Sequence, residues 1–156
     1  MHPSSFVLAV AAGALAWSPM GDAGATQRTP TYAGVTCRIT ATQPTLSSTS
    51  QLAARASITC SKDAGVAATS VTVNYAITVV EMDGTTEQAL SSSFQKNLTT
   101  TVVIGTPLTI TSYKLWCPNT EAGGEEYASK SSVMIVGAGT WSAPDRSKPV
   151  LDQFNC

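Results

Sequence analysis

The sequence predicts an all-β fold, an antiparallel sandwich of two sheets that two disulfides stabilise. Apolar and polar residues alternate with a period of two through most of the chain, which is the pattern of strands with one buried face. Glycine, proline and aspartate interrupt these runs at short intervals. About seven short strands in roughly 110 residues are typical of a two-sheet sandwich.

The N-terminal segment predicts export. An apolar run from Phe6 to Trp17 is followed by small residues that end at Ala25, an order typical of a signal peptide. The run is too short for a transmembrane helix, which needs about 20 residues. We therefore expect residues 1–25 to be a signal peptide and the mature protein to be secreted, extracellular and without a membrane span.

The mature chain suits one domain with its own core, because about 130 residues remain after cleavage. We predict an N-terminal extension over residues 26–34 and the β-sandwich over 35–136. The C-terminal tail, residues 137–156, ends on a cysteine, so we expect a disulfide to hold it.

The charge balance argues against a nucleic-acid partner. Removal of residues 1–25 takes away Asp22 and no lysine or arginine, which leaves nine basic and nine acidic side chains. No stretch of the mature sequence concentrates lysine or arginine, as nucleic-acid binding requires.

The first two strands follow from one another. Val35 to Ala41 and Leu52 to Cys60 both alternate, and Arg55, Ser57 and Thr59 are expected to point outward. The apolar positions predicted to face the core are Val35, Cys37, Ile39 and Ala41 in the first strand and Leu52, Ala54, Ala56, Ile58 and Cys60 in the second.

The later strands are separated by clear turn signals. Asp83-Gly84 predicts a tight hairpin turn, because glycine tolerates positive φ. Tyr113, Leu115 and Cys117 are expected on one face of their strand. The predicted strands are Thr69–Val80, Thr86–Phe94, Leu98–Ile104, Leu108–Cys117 and Tyr127–Val136.

Four cysteines, Cys37, Cys60, Cys117 and Cys156, lie in the mature chain, and an even number in an exported protein indicates two disulfides. Cys37 and Cys60 are symmetric about a hairpin turn at Ser48–Thr49, so they meet across the two strands. This register favours a Cys37–Cys60 bridge, with Cys117 bonded to Cys156.

The predicted strand pattern over Val35 to Val136 resembles the small secreted immunoglobulin-like β-sandwiches of bacteria. The resemblance concerns architecture and implies no particular function. It implies a second pairing, an inter-sheet bridge from Cys60 to Cys117 with Cys37 bonded to Cys156. Tyr75 and Leu115 stand where the immunoglobulin pattern has tryptophan and tyrosine, so both pairings stay open from the sequence.

No catalytic or cofactor site is predicted. The mature chain has no histidine, the usual base of serine and cysteine hydrolases. Lys130 with its neighbouring serines and the carboxylates around the Asp83-Gly84 turn are expected to be exposed polar residues. The cysteines lack metal-binding spacing, so we expect neither a metal nor a cofactor.

The candidate contact residues are Trp116, Trp141, Glu125 and Glu126, because exposed tryptophans are frequent in binding surfaces. They indicate a non-enzymatic recognition module or cell-surface structural module, with an unknown protein or a cell-surface glycan as its partner. The alternative is a proteinaceous inhibitor of a secreted hydrolase that presents the loop Pro118–Glu126, since a nearby disulfide would preorganise that loop.

Overall fold

The computed structural model describes residues 29–46, 51–90, 94–116 and 126–149, and every described regular element is a β-strand. The predicted signal peptide, Cys117 and Cys156 lie outside these residues. The strands are β1 (Thr31–Tyr32), β2 (Val35–Leu46), β3 (Gln51–Lys62), β4 (Ser70–Asp83), β5 (Thr86–Ala89), β6 (Gln95–Val103), β7 (Leu108–Thr111), β8 (Leu115–Trp116), β9 (Tyr127–Ile135) and β10 (Asp145–Arg146).

These strands form two antiparallel sheets that pack together, which confirms the predicted all-β sandwich. In the first sheet the order is β1-β2-β3-β7, and β8 pairs with β3 beside β7. In the second sheet the order is β10-β9-β4-β5, and β6 pairs with β4 beside β5. The chain passes from the first sheet to the second after β3, returns after β6 and crosses again before β9.

The β2–β3 hairpin has the predicted register. Cys37 lies opposite Cys60, and Ile39 lies opposite Ile58. The predicted core positions of both strands are buried, because their side chains all point toward the second sheet. The sequence alternation therefore determined both the pairing and the buried face of this hairpin.

A disulfide joins Cys37 to Cys60, so the predicted pairing of neighbouring strands is confirmed. The alternative bridge from Cys60 to Cys117, and with it Cys37 to Cys156, is wrong, because each cysteine forms a single disulfide. Both bonded cysteines are fully buried in the core. The second predicted bridge, Cys117–Cys156, lies outside the described residues.

The predicted strand Leu108–Cys117 is interrupted. β7 ends at Thr111, β8 begins at Leu115, and the expectation that Tyr113 and Leu115 share a face is wrong. Tyr113 is exposed whereas Leu115 is buried. Burial still alternates from Ile110 to Tyr113, and the phase changes at the exposed Lys114, which brings Leu115 inward.

Three serines hold strand edges by the same pair of hydrogen bonds. Ser112 accepts the Ala54 N–H on its hydroxyl (2.9 Å) and donates its own N–H to the Ala54 carbonyl (2.9 Å). Ser142 bonds in the same way to Val133, at 3.0 and 2.7 Å. Ser147 bonds likewise to Ser129, at 3.0 and 2.9 Å. The segment around β10 is therefore fixed to the edge of β9.

Ser112→Ala should lower the free energy of unfolding by about 2 kcal/mol, because it leaves the buried Ala54 N–H without its acceptor. Ser57→Ala is the matched control, since Ser57 is half-exposed. This variant should lower the free energy of unfolding by no more than about 0.5 kcal/mol. Chemical denaturation of both variants measures the difference. Equal losses for the two variants would contradict the role given to the Ser112 hydroxyl.

The sandwich extends beyond residues 35–136 at both ends. β1 lies in the predicted N-terminal extension, and β10 lies in the predicted tail. Asp145, the first residue of β10, accepts the Ala41 N–H of β2 on a carboxylate oxygen (2.7 Å). This bond joins the two sheets along one side, so part of the tail belongs to the fold.

The second sheet is also buried on part of its outer face. Val80, Met82 and Ala128 form a small cluster there, separate from the main core. Beside it, the Glu87 carboxylate accepts hydrogen bonds from Lys130 and from Arg146. The Arg146 Nη1 atom also lies 3.5 Å from the Met82 sulfur. The long charged side chains thus cover apolar surface with their aliphatic parts.

Candidate functional site

The structure separates the two candidate tryptophans. Trp116 lies on β8 in the first sheet, on the side where the Tyr113 N–H donates to the Gln95 side-chain oxygen (3.1 Å). Trp141 precedes Ser142, which is bonded to β9 of the second sheet. That edge is the one that Asp145 joins to β2, so the two indoles lie at opposite sides of the sandwich.

Their exposure also differs. Trp116 is 68% exposed, the same fraction as Tyr113, whereas Trp141 is half-buried. Glu126 is half-buried, and its carbonyl oxygen accepts the Met82 N–H (2.8 Å). Glu125 and the rest of the loop before Glu126 lie outside the described residues. Trp116 is therefore the candidate residue best placed to contact a partner.

Trp116 shares the outer face of the first sheet with a regular array of hydroxyl groups. The outer face consists of the side chains that alternate with the buried core positions of β2, β3, β7 and β8. Apart from Arg38, Arg55 and Trp116, its regular strand positions are mostly threonine and serine. The hydroxyl residues are Thr36, Thr40, Thr42, Ser57, Thr59, Ser61, Thr109 and Thr111.

The three large side chains of the outer face lie on one diagonal. Trp116 is opposite Gln51 on β3, Arg55 lies four residues further along β3, and Arg38 on β2 is opposite Thr59. Each step covers four residues along the strands and one strand across, which corresponds to about 14 Å. All three side chains are exposed.

Short side chains lie between the three large side chains of this diagonal. Ala53, between Trp116 and Arg55, is almost fully buried, so its neighbours form the accessible surface there. Thr40, Ser57 and Thr109 form one row across three strands between Arg55 and Arg38. The outer face is thus a mainly polar surface with an aromatic group at one end.

The outer face carries positive charge only. Its described strand positions hold the guanidinium groups of Arg38 and Arg55 and no carboxylate. The nearest strand-end acid in the sequence, Asp63, follows the last residue of β3. Both arginines are thus available to an anionic group from solution, and a guanidinium matches a carboxylate in a two-bond geometry.

The sequence analysis identified Trp116 but missed the two arginines as site residues. The alternation of β3 predicts that Arg55 points outward, but its position relative to Arg38 depends on the register between β2 and β3. The signal was present in the confirmed hairpin register, since placing Cys37 opposite Cys60 also places Arg38 opposite Thr59. The pairing of β8 with the start of β3 carried no local sequence signal.

Two other features are smaller. Burial raises the pKa of the Tyr75 phenol, and the neighbouring Tyr113 phenol raises it further. A cavity of about 10 Å³ between Phe94, Lys130 and Ser131 is large enough for about one water molecule.

The described residues contain no helix long and apolar enough to cross a membrane. Within the same ranges, no three histidine, cysteine, aspartate or glutamate side chains cluster as metal ligands would. No protein-family model, no curated protein and no solved structure matches the chain. The geometry of the outer face is therefore the basis for assigning a function.

Proposed function

We propose that the protein is a secreted, non-enzymatic recognition module of the cell surface, which binds its partner through the outer face of the first sheet. The observation that carries this proposal is the position of Trp116, which is 68% exposed on the outer face of the first sheet. Burying such a side chain in a complex removes a large apolar area from water, and tryptophan is enriched among the residues that dominate binding energy.

The rigidity of the outer face supports binding. β3 pairs with strands on both edges, and the Cys37–Cys60 bridge fixes it to β2. A partner that binds this face therefore meets a backbone that is already ordered, which lowers the entropy lost on association. The disulfide also supports secretion, since such bonds persist in oxidising compartments.

The strand order supports an immunoglobulin-like architecture for this module. We treat β5 with β6, and β7 with β8, as single interrupted strands. The first sheet then corresponds to strands A, B and E of an immunoglobulin-like sandwich, and the second to C′, C, F and G. The Cys37–Cys60 bridge lies between A and B in this scheme, so the core differs from that of antibody domains, whose bridge joins B to F.

A pull-down with the oxidised secreted protein tests the proposal, using culture supernatant and envelope extract from the producing organism. We expect retention of an envelope component, and Trp116→Ala should weaken its binding about thirtyfold or more, as for a dominant contact residue. Phe94→Ala is the control, because Phe94 is an exposed aromatic residue that lies against the second sheet beside Lys130 and Ser132.

Two results would contradict this function. Equal weakening by Trp116→Ala and Phe94→Ala would remove the outer face as the binding surface. Stoichiometric capture of a secreted hydrolase, unaffected by Trp116→Ala, would instead favour the inhibitor function and the loop Pro118–Glu126.

A further inference from the structure

We infer that the outer face of the first sheet binds an extended acidic polysaccharide, a glycan chain with carboxylate groups along its length. This inference rests on the proposed function and names the ligand of the same surface. It follows from the diagonal of Trp116, Arg55 and Arg38, from the hydroxyl rows around it and from the sign of its charge.

The shape of the diagonal fits an extended chain. Trp116, Arg55 and Arg38 follow one another in two equal steps, which together span about 28 Å. Between the two arginines the face carries Thr40, Ser57 and Thr109, which are short side chains. A linear polymer can contact all three side chains at once, whereas a small molecule reaches one of them.

The chemistry of each position fits a sugar acid. The exposed Trp116 indole offers a large apolar ring face, on which the C–H face of a sugar ring can stack. Threonine and serine hydroxyls both donate and accept hydrogen bonds, as sugar hydroxyls require. Arg38 and Arg55 each present a planar fork of N–H donors that matches a carboxylate with two parallel bonds.

The charge of the face also argues against other occupants. A second copy of the chain, docked face to face, would bring the arginines of both copies together without a described carboxylate on either face. A single-stranded nucleic acid would need several aromatic side chains on which successive bases stack, and the described outer-face positions of β2, β3, β7 and β8 carry only Trp116. An acidic glycan can bring one carboxylate to each arginine and place its ring hydroxyls against the serines and threonines between them.

The test compares the binding of the oxidised secreted protein to polygalacturonate and to its methyl-esterified form, which has the same backbone without the charge. We expect the wild-type protein to bind polygalacturonate at least tenfold more tightly than the ester. Raising the salt concentration should weaken that binding, because exposed charges are screened. Polyglutamate serves as an acidic polymer without sugar rings and should bind at least tenfold more weakly than polygalacturonate.

Arginine variants test the assigned contacts. Arg38→Gln and Arg55→Gln should each weaken binding about tenfold, the loss expected for one charge-assisted contact, and the double variant should bind both glycans equally weakly. Lys96→Gln with Lys148→Gln is the matched control, because it removes the same charge from exposed positions off this face. Arg38→Lys with Arg55→Lys keeps the charge and should restore only part of the affinity, since lysine lacks the fork.

The outcomes separate the ligand from the function. Equal binding to polygalacturonate and its ester, with both lost in Trp116→Ala, would overturn the acidic ligand and leave the recognition surface standing. Equal binding to polyglutamate would show that the face responds to charge alone and would overturn the glycan assignment. If the control lysine pair weakens binding as much as the arginine pair, the diagonal is not the site. Thermal unfolding curves that match the wild type verify that each variant is folded.

Discussion

Replacement of both Cys37 and Cys60 by alanine should lower the free energy of unfolding by about 3 kcal/mol. The bridge closes a loop with a sequence separation of 23 residues, and a loop of that length restricts the unfolded chain by about this amount. A small domain has a total stability of about 5–15 kcal/mol, so the loss is a large share. Denaturant unfolding of the oxidised proteins measures it.

Reduction supplies the control for this prediction. Reduced wild-type protein should lose at least as much stability as the double alanine variant. Any further loss when the double variant is reduced would report on the predicted Cys117–Cys156 bridge. A double variant as stable as the oxidised wild-type protein would contradict the role given to the Cys37–Cys60 bridge.

Ile58→Ala should lower the free energy of unfolding by about 3–4 kcal/mol, within the range for large-to-small substitutions in a close-packed core. Ile58 is fully buried at the centre of the first sheet, between Ile39 on β2 and Leu108 on β7. Its loss creates a cavity between the two sheets that rigid strands on both sides keep open.

Thr59→Ala is the matched control for Ile58→Ala, because Thr59 follows it directly but points outward. Its effect should stay within about 0.5 kcal/mol, and Ile58→Val should cost about 1 kcal/mol. Thermal and denaturant unfolding compare the three variants. Similar losses of stability for Ile58→Ala and Thr59→Ala would contradict the assignment of inner and outer faces in β3. The proposed binding surface depends on that assignment.

The first hairpin was predictable because its information is local. Alternation in both arms specifies their buried faces. A one-residue shift of one strand would turn its apolar side chains, such as Ile39 or Ile58, to the solvent side. The cysteines at positions 37 and 60 specify the same register independently. Two agreeing signals within a short stretch of sequence left little freedom to the pairing.

The end of β7 at Thr111 was not predictable from alternation, which continues through Ser112 and Tyr113 and changes phase only at Lys114. Ser112 bonds through its hydroxyl as well as its backbone to Ala54, and nothing in the local sequence distinguishes it from the exposed serines of other strands. The same holds for Ser142 and Ser147, which fix a tail that was expected to depend on a disulfide. A serine bonded to a distant strand edge follows from tertiary structure alone.

The second sheet had one predicted buried face and one that was missed. The apolar positions through Val79 match the alternation, but Val80 and Met82 are buried on the opposite face. Their cover includes the charged group of Glu87, Lys130 and Arg146, which comes from three different strands. Contacts of such long sequence separation leave no pattern in any one strand.

The candidate site was predicted in one residue out of the three that now define it. Trp116 was identified because it neighbours a cysteine expected to face the core. Arg38 and Arg55 required the register between β2 and β3, and their alignment with Trp116 required the pairing of β8 with Gln51. The diagonal is thus a property of three paired strands.

The most direct test of the binding surface is a map of backbone amide chemical shifts in the isotope-labelled oxidised protein during titration with the captured envelope polymer. We predict that the perturbed amides cluster around Arg38, Arg55 and Trp116 on the first sheet. The amide chemical shifts of β4 and β9 in the second sheet should change little. Perturbations centred on the second sheet, or on the loop Pro118–Glu126, would contradict it.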